Sequence, residues 1–257
     1  MADRVLPGPV KANACISEAV CIHTRKIFDS CRDKDCIEDL RVFPTTTSQA
    51  YIENASSIRP KSTELLYVSV NVEEIAFNRG SYAVDVTYYY KVTGEAMPGG
   101  QEVTGLAVFD KRVILYGSAG NAKVFRSGWG TMLPERCMMP QAVVEVVDPI
   151  TLGMKLVERC QCGPDTELRS VPQEIIDLLG EPVILTETNR HWYVTLGQFS
   201  IIRLERDTQL LIPAYDYCIP EKECVGASDQ QDPCELFGQI RFPMEEFFPP
   251  DNPNSGN

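Results

Sequence analysis

The stretch LLYVSVNVEEIAFNRGSYAVDVTYYYKV, residues 65–92, decides the fold class. Leu66, Val68, Val70 and Val72 alternate with other residues, and after Asn78-Arg79-Gly80-Ser81 the alternation resumes with Tyr82, Val84, Val86, Tyr88 and Tyr90. A period of two puts every second side chain on one face of a strand, so the stretch predicts a long β-hairpin. Within Tyr88-Tyr89-Tyr90, two rings fall on the packed face and the third on the other.

Working outward, Gly99-Gly100 marks the next turn, and Val103 to Phe109 and KRVILYG continue the β pattern. The run from Gly117 to Lys123 is glycine-rich but fails the phosphate-loop pattern, and it reads as a turn before KVFRS. Val143 to Val147, Gly153 to Val157, HWYVTL, FSIIRLE and TQLLIP are further short β runs. Two helices interrupt them. One is expected near Thr47 to Ser57, and one at Pro172 to Leu179, with proline at the first turn and Gly180 at the end. The expected fold is mainly β, with sandwich-like antiparallel sheets, one or two short helices and cysteine-rich terminal segments. The organisation follows as a cysteine-rich segment over 1–44, read as irregular, a β-rich region over 45–135, a second over 136–217, and a cysteine-rich end over 218–257.

The chain has 257 residues with 44% hydrophobic and 23% charged, enough to bury a core without covalent staples. Its net charge of -12, without a basic patch beyond Arg25-Lys26, argues against nucleic acid and anionic bilayers as partners. No apolar run is long enough for a membrane span.

Ten cysteines are the unusual element of the composition. Cys15, Cys21, Cys31 and Cys36 lie near the start, Cys218, Cys224 and Cys234 near the end, Cys160 and Cys162 form a CxC, and Cys137 stands apart. The opening MADRVLPGPVKANAC has no apolar h-region, so synthesis in the cytoplasm without a signal peptide is expected. All ten are candidates for disulfide cross-links. Their spacing matches no common zinc pattern, so no metal or other cofactor is assigned, although the CxC keeps a zinc- or redox-linked binding module as the alternative.

The remaining constellations favour plain readings. Cys21 and His23 share a strand face but lack an orienting third group and an oxyanion site. His191 sits beside Trp192 and Tyr193 as a packing or surface residue. Asp29, Asp33, Asp35, Glu38 and Asp39 miss the EF-hand register and read as a solvated or salt-bridged charged turn. With no catalytic residues identified, the chain is expected not to be an enzyme.

The strings DSCRDKDCIEDLRVF, AFNRGSYAVDVTYYYKV, GLAVFDKRVILYGSAGNAKVF and YDYCIP resemble the cysteine-rich spore coat and exosporium proteins of clostridia over most of residues 15 to 245. That resemblance implies a self-assembling structural protein of the spore surface, made in the mother-cell cytoplasm. It further implies a homo-oligomer, such as a hexamer-type ring in a two-dimensional array, cross-linked by disulfides and joined by other spore-surface proteins. An oxidising site reached after assembly would let thiols pair between subunits.

Overall fold

In the computed structural model, the described residues are 21–119, 139–158, 171–185, 189–211, 237–238 and 240–247. The strands are β1 (Cys21–Pro44), β2 (Ser57–Glu74), β3 (Ser81–Met97), β4 (Gln101–Tyr116), β5 (Gln141–Val146), β6 (Ile150–Glu158) and β7 (Arg190–Leu211). Among the described residues, they are accompanied by the helices α1 (Thr46–Asn54), α2 (Gln173–Leu179) and the short α3 (Met244–Phe247). The expected strand KVFRS falls outside the described residues, as do both tips of the chain.

The hairpin read from residues 65–92 is β2 and β3, paired from Ser57 opposite Met97 to Glu74 opposite Tyr82. Its turn closes through the Ile75 amide donating to the Ser81 carbonyl, with Gly80 at φ +85°, a conformation that suits a residue without Cβ. Tyr82, Val84, Val86, Tyr88, Tyr90 and Val92 are all buried, so the alternation reports the core face correctly. Tyr89 takes the opposite face, near Tyr67 and the cluster under α2. Both central helices lie within a few residues of their expected positions, and Gly180 ends α2 in the left-handed conformation.

Two expectations are corrected. The first concerns the sandwich: all seven strands belong to one antiparallel sheet of order β2-β3-β4-β1-β7-β5, with β6 also on β7. That sheet curls until β2 meets the β5–β6 connection and β6, where Thr63 and Thr151 hydroxyls lie 2.8 Å apart and the Leu65 amide donates to Asp148 Oδ1 at 3.0 Å. The sheet is nearly closed into a barrel. Bulges at Ile27/Asp29 and Ile37/Leu40 in β1, and at Pro60/Ser62 and Leu65/Tyr67 in β2, add the local bending that curvature requires.

The second correction concerns residues 21–44, read as irregular. They form β1, which runs beside β7 from Cys21 opposite Leu211 to Val42 opposite Trp192. Thus β1 joins β2–β4 to β5–β7 in one sheet. The misreading has a physical cause: a strand carrying charged groups inward lacks the apolar alternation that marks a strand in sequence.

The β1–β4 ladder is short, covering Val42 opposite Ala107, Phe43 opposite Leu106 and Pro44 opposite Gly105. A Cβ at Gly105 would meet Val42 Cγ1 at 2.7 Å and the Phe43 carbonyl oxygen at 2.8 Å, so glycine is required for this approach. Gly105→Ala should therefore destabilise the fold by about 1–3 kcal/mol through overpacking, measured as a lowered urea midpoint at unchanged slope.

Candidate functional site

The inner face of β1 presents Cys31, Asp33, Asp35 and Ile37 at alternate positions. Here the acids expected in a solvated or salt-bridged turn include salt-bridged ones, but the segment is strand rather than turn. Arg32 to Asp35 lie in regular ladder opposite Ile201 to Gln198, and the side chain of Asp33 is only 7% exposed and that of Asp35 18%. The other acids go elsewhere. Asp29 accepts from the Tyr116 amide, and Asp39, at the bulge with φ +50°, pairs with Lys155 at 2.7 Å.

Between the two buried acids sits Lys111 of β4, its side chain 7% exposed. Its Nζ ion-pairs with Asp33 and donates to Asp35 Oδ1 at 2.7 Å and Oδ2 at 2.8 Å. Lys111 lies opposite Val86 in the β3–β4 ladder, and the neighbouring pair Tyr88 and Phe109 stack at 6.0 Å. Sequence reading missed this lysine. A signal existed, because Phe109, Lys111, Val113 and Leu115 share one parity in KRVILYG and its flank, so a strand with Val113 and Leu115 inward also turns Lys111 inward.

Burial dominates the electrostatics of this interior. It pushes the Asp35 carboxyl up to about 6 and the Lys111 ammonium down to about 8. Burial also raises the Tyr88 phenol to about 12 and holds that of Tyr90 well above its ordinary value, with the Asp35 charge acting in the same direction on both. Neither the Tyr88 nor the Tyr90 hydroxyl has a hydrogen-bond partner among the described residues.

Phe237, Gly238, Ile240 and Phe242 lie over the outer face of β1 and β7. The Phe237 ring rests on Gly197, where a Cβ would lie 2.6 Å from Phe237 Cδ2, and it meets Phe199 at 4.6 Å between centroids. Phe242 meets Phe199 at 5.4 Å. Lys34 binds this cover by donating to the carbonyls of Gly238 at 2.6 Å and Ile240 at 3.0 Å, with its Nζ 4.9 Å from the Phe237 centroid. At one barrel end, Arg206 donates to the Gly117 and Ser118 carbonyls and to the Tyr82 hydroxyl, tying down the start of the glycine-rich run.

Cys31 and Cys36 each stand in a disulfide bond. They cannot be each other's partners, because five extended residues separate their Cα atoms by about 16 Å and a disulfide spans at most about 7 Å. Cys36 pairs in register with Gly197, beside the Phe237 cover. Cys15, Cys137, Cys160, Cys162, Cys218, Cys224 and Cys234 lie outside the described residues, as does the side chain of Cys21. No cluster of three or more metal-ligating side chains occurs among the described residues, while the CxC on which the zinc alternative rests is not among them. His191 Nδ1 lies 3.3 Å from the Tyr193 hydroxyl, as a packing residue would.

The interior charges make a stability prediction. Lys111→Met leaves two carboxylates buried without a cation and should cost about 3–5 kcal/mol near pH 7. Asp35 is raised above its unfolded value, so its protonation favours the folded state; that contribution is complete below about pH 4 and is lost as pH rises through about 6. Urea unfolding should therefore show a smaller Lys111→Met deficit at acidic pH than at neutral pH, and Asp35→Asn should flatten the wild-type stability change between about pH 4 and 6.

No family model matches the chain. No solved structure matches it either. Among curated proteins, "Exosporium protein A" of Clostridium sporogenes is 24% identical over a 266-residue alignment that covers 95% of this chain and 79% of the relative. The chain is a distant homologue of that exosporium protein along nearly its whole length.

Proposed function

We propose that this protein is a non-enzymatic structural component of the exosporium that self-associates into an array reinforced by disulfides between subunits. The observation that carries the reading is the similarity to an exosporium protein across 95% of the chain. The architecture supports it. One sheet curls on itself, its interior charges are paired with one another, and its outer β1–β7 face is covered by the chain's own aromatic residues. Such a body suits mechanical use.

The surface offers contacts for a second copy. Phe77 in the β2–β3 turn is fully exposed, and Ile114 and Tyr116 are exposed on the adjoining end of β4, with Tyr116 against the Gly80 turn. Identical subunits meeting through repeated equivalent contacts close into rings or extend into sheets, and a hexamer-type ring repeated in two dimensions is the assembly proposed. Buried interface area supplies the primary cohesion, with covalent bonds added afterwards. The cross-links are drawn from the ten cysteines, of which Cys31 and Cys36 stand in disulfide bonds.

Negative-stain microscopy of purified protein, with and without reductant and beside non-reducing gels, tests the reading. Arrays should form in both conditions, with covalent oligomers only in the oxidised sample; a monomer in both overturns it. Combining Phe77→Ser, Ile114→Ser and Tyr116→Ser should shift the sedimenting species toward monomer while leaving the far-ultraviolet circular dichroism unchanged.

A further inference from the structure

We propose that Lys111 and Asp33 condense into an intramolecular isopeptide bond, with Asp35 as the carboxyl that relays the protons. The geometry carries the argument. Lys111 Nζ contacts the Asp33 carboxylate directly, and both side chains are 7% exposed. Asp35, two residues along the same strand face, holds the same nitrogen with both oxygens at 2.7 and 2.8 Å. Amine, acceptor carboxyl and proton-relay carboxyl thus meet at one point in a β core, held by rigid strands.

The reaction balances without a co-reactant. Nζ attacks Asp33 Cγ, the Nζ–Cγ bond forms, and one Cγ–O bond breaks. In going from ammonium to amide, the nitrogen gives up two protons. Both end on the departing oxygen, which leaves as water. Asp35 delivers a proton to that oxygen and takes one from the nitrogen, so it finishes as it began. Burial moves each participant toward the form the step needs, since it favours the free amine of Lys111 and the protonated acid of Asp35.

Two physical consequences favour the product. Two desolvated charges become one neutral amide, which removes the cost of keeping them ionised in the barrel. The bond also joins β1 to β4 beyond the three residue pairs at which their ladder ends, where no backbone pairing holds them. It links positions far apart in sequence and so constrains the unfolded chain as a disulfide does, but reductant does not cleave it.

Intact-mass spectrometry of the full-length, fully reduced and denatured protein tests the proposal. Wild type should weigh one water less than its sequence, and proteolysis should release a branched peptide joining the Asp33 and Lys111 segments. Lys111→Met and Asp35→Asn should each show the full mass of their own sequence. The wild-type measurement stands even if either variant fails to fold. A folded wild type of full mass with separate Asp33 and Lys111 peptides overturns the proposal, as does a lost water without the branched peptide.

Discussion

The ladder between β1 and β7 is the interaction on which the rest of the structure depends. It runs nearly the full length of both strands, and the strands on either side are attached to it: β4 on the far edge of β1, and β5 and β6 in succession along the far edge of β7. Without it the chain would fall into a β2–β3–β4 meander and a separate β5–β6–β7 group, each with an apolar face turned to water. Pairing the first strand with the last one described means that much of the chain must be made before the core can close. The topology is therefore one of long sequence separation, in which loop-closure entropy is recovered only when the sheet forms as a whole.

Curling that sheet creates an interior that does not conform to the usual rule for cores. Trp192, Tyr88 and Tyr90 fill much of it, yet three ionisable groups sit among them. A lone buried ammonium or carboxylate would be prohibitive, and the arrangement is tolerable because Lys111 is bracketed by two acids on one face of β1. Burying such a group is poor evidence of added stability, since an apolar replacement of similar shape serves as well or better. A buried Lys-Asp-Asp set therefore asks for a chemical reason, and amide formation between Lys111 and Asp33 supplies one.

The cysteines divide along the same lines. Cys31 faces the core and Cys36 the covered outer side, so one strand carries sulfur on both of its faces. They flank the stretch that contributes Asp33 and Asp35.

Sequence by itself determined the β class, the β2–β3 hairpin with its turn at Gly80, and the inward set from Tyr82 to Val92, because those features follow from a local period of two and from glycine's access to positive φ. It also placed both central helices closely, since Gly180 and the flanking proline act within a turn. Long-range contacts alone set the near-closure of the sheet into a barrel, the role of residues 21–44 and the meeting of Lys111 with Asp33 and Asp35. Whether a charge faces water or the interior depends on the register of its strand, and in β1 the bulges at Ile27/Asp29 and Ile37/Leu40 reset that register through pairing with β7. Burial of a charge is decided by the partner it meets, and that partner lies on another strand far away in the chain.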